Sequence, residues 1–369
     1  MQKKGFIDLY TNQNLGDDLF LKIFLERYPK IQWYILTHDV EFYCRFQSYF
    51  PNLVVIQMPK LLGKMAQIFR VYSYLVSWIL GRKNFDYFVV LGGGIFIENE
   101  YADFLKKHRS IVWKKYLDEE KLYILGANFG PVNSEEFITF YDDIFKKAND
   151  VCFRDVTSCK YFPNNPKVRS SSDIVFSLKV PTVRKIDKTV GISVMDLSKK
   201  SDLNKFSSSF RENLSTFIRS LLSQGYHITL FSFCEPEGDM VEISKILEGL
   251  DSKENIDFVN YVGNIDEFLV KYSMMETYIT LRFHSIILGL LFKGNVIPIV
   301  YSKKSRNFIS ESKIFREYFE LSDIEQILET NIEVENSTDS NLEMLVAESD
   351  NMFNIFDLCI YEDEFDGQI

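Results

Sequence analysis

Short apolar runs alternate with longer amphipathic stretches through most of the chain. Runs rich in β-branched and aromatic residues recur at 5–10, 31–37, 53–56, 87–91, 122–125 and 151–154. Patterns of helical period separate them, and continuous apolar strands between helices predict a parallel sheet covered on both faces. Residues 178–188 break the series, being charged, holding Pro181 and lacking helical periodicity, as a domain linker does. A second series follows, with strands expected at 189–194, 227–232, 257–261, 277–281 and 295–300. The pattern predicts an α/β protein of two Rossmann-like doubly wound domains facing a cleft, over 1–180 and 189–330. An acidic tail over 331–369, with one helix around 342–353, completes it.

A length of 369 residues suits two hydrophobic cores better than one, and 46% hydrophobic residues suffice to fill both. The formal net charge of −10 argues against a nucleic-acid binder, so any anion must meet a local basic cluster. Five scattered cysteines without a CxxC pair suggest buried free thiols of a reducing compartment, not a disulfide framework or zinc site. The N-terminus reads directly as a strand, without the apolar run of a signal peptide, which places the protein in the cytoplasm. The most apolar stretch, 65–80, carries Arg70 and is too short to span a bilayer. It reads as a buried or interface-facing helix. Its aromatics Phe69, Tyr72, Tyr74 and Trp78 leave room for peripheral contact with the inner membrane face or with a lipid-linked substrate.

In open parallel sheets ligands bind outside the carboxyl ends of the strands, so the turns there hold the candidate chemistry. The first, Thr11 to Asp18, opens a helix that Asn14 or Asp17 can cap, with Gly16 relieving the turn. Its functional reading sets Asn14, Gly16 and Asp17 at the rim of a cleft; its structural reading is a capped turn. The second, Gly92-Gly93-Gly94, allows close approach of a ligand or of another chain segment. It has neither the dinucleotide GxGxxG nor the P-loop spacing. Gly126-Ala127-Asn128 follows the next strand in the same way.

The third turn, Arg282-Phe283-His284, stands between a strand and an apolar helix over 286–292. In an extended segment Arg282 and His284 would point to one side, giving a bidentate anion donor beside a proton-exchanging imidazole. Tyr301 to Arg306, with Lys304, adds cations. Arg154, after the sixth strand, faces either a ligand or a neighbouring acid. Asp142 and Asp143 fall on a solvated helical face, and no HExxH, GxSxG or clustered His, Cys and carboxylate set suggests a metal site.

In order and spacing these elements resemble the polysaccharide pyruvyl transferase family as far as about Phe308. The matching residues are Asn14-Leu15-Gly16-Asp17, Leu91-Gly92-Gly93-Gly94, Gly126-Ala127-Asn128, Arg154-Asp155 with Ser158, Asp173, Arg282-Phe283-His284, and Tyr301 with Lys304. The resemblance implies domains like those of B-type glycosyltransferases. It also implies phosphoenolpyruvate as co-substrate without a further cofactor, and a sugar acceptor, free or lipid-linked, of a capsule or exopolysaccharide precursor. It makes Arg282 and His284 donor-binding and catalytic and ties Arg154 to the donor. Two alternatives stay open: a nucleotide-sugar glycosyltransferase of the same fold, and a non-catalytic carbohydrate-binding member.

Overall fold

A computed structural model describes residues 2–58, 71–315, 317–329 and 339–366. The chain forms two compact units. One comprises Met1–Thr11, Phe20–Ser177 and Val346–Ile369; the other comprises Asn12–Leu19 and Leu178–Leu345. The expected linker thus opens the second unit. The tail divides, its last part joining the first unit, and the turn after the first strand belongs to the second.

The first unit is built on a parallel sheet of strands β1 (Lys4–Asp8), β2 (Gln32–Thr37), β3 (Leu53–Gln57), β4 (Tyr87–Phe96), β5 (Leu122–Phe129), β6 (Asp150–Phe153) and β7 (Val168–Ser170). Their spatial order is β3-β2-β1-β4-β5-β6-β7, so the direction of winding reverses between β1 and β4. The middles of the central strands are apolar, as in parallel sheets covered on both faces, while Lys4, Asp8, Gln32 and Arg169 stand at strand ends or on the edge strand. Phe6, Phe88, Val90, Ile124 and Val151 meet Trp113, Tyr141 and Phe145 in the core.

Two strands run past their predicted ends because the glycine-rich segments continue the ladder instead of turning out of it. In β4, Gly92 and Gly93 have φ of 64° and 80°; in β5, Gly126 has φ of 76°. The register slips beside them, after Gly93 in the β4–β5 pairing and after Leu125 in the β5–β6 pairing. These glycines form β-bulges.

The second unit repeats the plan with β8 (Ile186–Val194), β9 (His227–Ser232), β10 (Ile256–Asn260), β11 (Met275–Thr280), β12 (Asn295–Val300) and the short β13 (Phe319–Glu320). The order β10-β9-β8-β11-β12-β13 places its reversal between β8 and β11. Val190, Ile192, Leu230 and Ile279 pack against Leu214, Ile218 and Leu221 of the helix Ser207–Ser223.

Where one helix around 342–353 was expected, the described residues of the tail include the helices Asp339–Ser349 and Asn354–Asp366, joined by a helical turn at Asp350–Phe353. Met352, Phe353 and Phe356 are fully buried, Phe356 against Phe24, Tyr28 and Tyr123. Arg27 binds Asp350 and Asp357. Of the apolar stretch 65–80, residues 65–70 lie outside the described residues; the rest falls in the helix Tyr72–Gly81, which exposes Tyr74 and Trp78. Among the described residues no helix is long and apolar enough to cross a membrane. The cysteines are free, but only Cys152 and Cys234 are buried; Cys159 and Cys359 are half-buried and Cys44 is exposed.

Candidate active site

The turn Arg282-Phe283-His284 follows β11, at the carboxyl edge of the second sheet and beside its reversal point, where open α/β sheets bind ligands. Ser193, on the neighbouring β8, holds it: its Oγ accepts the N–H of Leu281 at 2.8 Å and of Arg282 at 3.2 Å, and lies 2.8 Å from Ser285 Oγ. The helix Phe283–Leu291 begins at once, with Arg282 as its extended N-terminal cap residue. Because of that helix, the strand-like alternation expected to set Arg282 and His284 side by side does not hold.

Arg282 instead turns inward. Its Nη1 donates to Glu237 at 2.6 Å and its Nη2 to Asp239, whose carboxylate also accepts the N–H groups of Phe233 and Cys234, each at 2.9 Å. Only 9% of the Arg282 side chain is exposed, and its Nε has no hydrogen-bond partner among the described residues. Burial works against the guanidinium charge, but the two carboxylates outweigh it and raise its pKa further. Burial pushes Glu237 up, yet Arg282 and Lys200 hold it below the usual carboxylate range. For Asp239 burial prevails and its pKa is raised. The expected open fork for an anion is therefore a closed ion-pair network that orders the turn. The sequence signal for it was the acidic run Glu235-Pro236-Glu237-Gly238-Asp239 after β9, since a buried arginine needs acids nearby.

His284 occupies the first helical turn against Gly16, where a Cβ would fall 1.7 Å from its Nδ1. The segment carrying Gly16 is fastened inside the second unit. Leu15 N–H donates to Phe233 O at 3.0 Å, Cys234 Sγ lies 3.5 Å from Asn12 O, and Tyr261 OH donates to buried Asp18 at 2.8 Å. Asn14 Oδ1 accepts the Gly16 N–H at 2.9 Å, which is a turn-capping role, and Asp17 is buried. The structure thus brings Gly16 to His284 and gives Asn14 local structural work. The Lys304 ammonium sits 4.1 Å over the Phe283 ring, on a helix, Lys303–Ser312, capped by Ser302.

Arg154 belongs to the first unit. Its Nη1 pairs with Asp173 at 2.7 Å and its Nε donates to Asn128 Oδ1 at 2.6 Å, in a side chain only 1% exposed. Asn128 also bonds Asp155, which caps the next helix through the Ser158 N–H, and Ser158 Oγ accepts the N–H of Phe129 at 2.8 Å. These five polar residues form one largely buried network, so of the two readings left open for Arg154 the neighbouring acid is the one found. Gly92 lacks a side chain because the Phe20 ring fills that place, a Cβ falling 2.0 Å from it. A Cβ on Gly94 would meet only Ile97 among the described residues, at an ordinary 3.6 Å, and Gly93 contributes its positive φ.

Two Rossmann-like units, each with a reversal point in its parallel sheet, define the architecture of the B-type glycosyltransferases and the UDP-N-acetylglucosamine 2-epimerases. Among solved structures the UDP-N-acetylglucosamine 2-epimerase of Methanocaldococcus jannaschii shares it, with TM-score 0.61 and 11% identity over 97% of this chain and all of that one. So does Staphylococcus aureus MnaA with UDP, at TM-score 0.61 and 10% identity over 100% of this chain and 98% of that one. Anabaena HepE, in complex with UDP and glucose, matches at TM-score 0.53 and 10% identity over the full length of both. No curated protein matches significantly in sequence. The model of the polysaccharide pyruvyl transferase family matches residues 14–303, and the chain belongs to that family. Membership implies a pyruvyl transferase with a sugar or polysaccharide acceptor.

Proposed function

We propose that the protein transfers the enolpyruvyl unit of phosphoenolpyruvate to a sugar of a capsule or exopolysaccharide precursor, forming a pyruvate ketal in the cytoplasm. The observation that carries this reading is the meeting of Gly16 with His284 at the reversal point of the second sheet. It joins the first and the later elements of the family pattern in one place.

His284 acts as proton carrier. A proton reaches the methylene carbon of the donor, turning it into a methyl group, and the first sugar hydroxyl bonds to the adjacent carbon. The bond to phosphate then breaks, and the second hydroxyl closes the ketal. Of the two hydroxyl protons, one replaces the proton given to the methylene and the other leaves with inorganic phosphate. A positioned acid–base group supplies about 10² to 10⁴ in rate. Lys304 and the starts of the helices Phe283–Leu291 and Lys303–Ser312 attract the donor's carboxylate and phosphate. Arg282 is a positioning residue whose charge is shared with Glu237 and Asp239.

The test is to incubate the protein with phosphoenolpyruvate and a panel of hexosides, following phosphate release and the quaternary ketal carbon by ¹³C NMR. The reading predicts both signals together. Consumption of a UDP-sugar with release of UDP, and none of phosphoenolpyruvate, would instead establish the glycosyltransferase alternative, which the UDP-bound fold neighbours keep in view.

A further inference from the structure

The reversal point of the first sheet, between β1 and β4, holds a second group of polar side chains that the reaction above does not use. Asp8 ends β1 and is only partly buried. Its Oδ2 accepts the indole N–H of buried Trp113 at 3.1 Å, and its Oδ1 has no hydrogen-bond partner among the described residues. His108, on the helix Ala102–Val112, places Nδ1 3.1 Å from Ser73 Oγ, while its Nε2 has no such partner. The His108 ring stacks on Tyr72 at 5.8 Å and on Phe104 at 5.9 Å. The hydroxyl of Tyr72 is likewise without a hydrogen-bond partner among the described residues.

The three groups feel one another. Burial lowers the pKa of His108 while the Asp8 charge opposes that and Arg109 adds to it; burial and then the same Asp8 charge raise Tyr72. Half-buried polar groups without partners cost free energy unless a ligand or water completes them. A carboxylate oxygen, an imidazole nitrogen and a phenol beside aromatic faces, at the crevice where such sheets bind ligands, suit a polyhydroxylated ring. Hydroxyls serve both donors and acceptors there, and the aromatic faces cover the apolar C–H surface of the ring.

We infer that Asp8, His108 and Tyr72 form a pyranoside-binding site in the first unit, with Asp8 Oδ1 and His108 Nε2 taking adjacent ring hydroxyls and Phe104 lining the apolar side. It rests on the pyruvyl transferase reading only in making that sugar the acceptor.

The experiment titrates the intact protein with the methyl pyranosides of glucose, galactose, mannose and N-acetylglucosamine, following the Trp113 indole N–H by NMR. Asp8→Asn keeps an oxygen for the Trp113 N–H, and His108→Phe keeps the ring stack, so both variants test binding rather than folding. The inference expects at least one pyranoside to shift the Trp113 resonance saturably, and either variant to weaken that binding tenfold or more while leaving phosphoenolpyruvate binding unchanged. It is overturned if no pyranoside moves Trp113, or if both variants bind as the wild type does. Pyranoside binding in a protein that does not bind phosphoenolpyruvate would uphold this site and sink the proposed reaction.

Discussion

A methyl group on Gly16 would sit 1.7 Å from Nδ1 of His284, so this glycine is required by a close approach and not by backbone strain. Gly16→Ala should push the imidazole aside, costing about 1–3 kcal/mol of stability as an overpacked contact does. Phosphoenolpyruvate affinity should fall about tenfold or more, readable by calorimetry beside thermal denaturation. Arg282→Ala should act differently. It strands Asp239 and Glu237 without their cation, and removing one partner of a buried pair costs about 3–5 kcal/mol. A variant melting at the wild-type temperature would refute a structural role for the arginine. Arg282, His284, Arg154 and Gly16 were all singled out in the sequence, but without their partners: the acidic run Glu235 to Asp239 and the lone Asp173 are visible there, yet spacing alone does not pair either arginine with its acid.

Strand positions were legible because an apolar run between amphipathic stretches has few other interpretations, and 227–232 and 295–300 coincide with β9 and β12. The short edge strands β7 and β13 escaped notice, having too few residues to show a period. The ends of β4 and β5 were missed because glycine is the usual sign of a turn, whereas here it lets the ladder bulge and continue. One element carries a pH signature. Lys185, just before β8, donates from Nζ to Met275 O at 2.7 Å and Tyr278 OH at 2.8 Å on β11. Burial lowers its pKa to about 8 from 10.5, with Glu276 opposing. From about pH 8 to 10.5 the unfolded chain holds a proton that the folded one has released, so this group's contribution to stability rises with pH. Relative to Lys185→Met, the wild type should gain up to about 1 kcal/mol over that window, allowing for solvent screening. Denaturant titrations at pH 7.5 and 10 would read it, and a loss in place of a gain would contradict the burial described.

The fold class was legible from the alternation of elements, but not the way the chain distributes itself between the two units. The tail read as acidic and uncommitted because nothing local shows where its apolar residues pack. They include Phe353 and Phe356, and their partners Phe24, Tyr28, Trp33 and Tyr123 lie hundreds of positions earlier in the sequence. Phe356→Ala should cost about 3–5 kcal/mol, lowering the melting of the first unit. A tail merely appended to the fold would show almost no change. The most direct test of the whole account is calorimetric titration of phosphoenolpyruvate into the wild type and into His284→Ala, with UDP-sugars run alongside. The account predicts saturable phosphoenolpyruvate binding that His284→Ala weakens strongly, in a variant that melts like the wild type. Binding of a UDP-sugar alone, or phosphoenolpyruvate binding indifferent to His284, would contradict it.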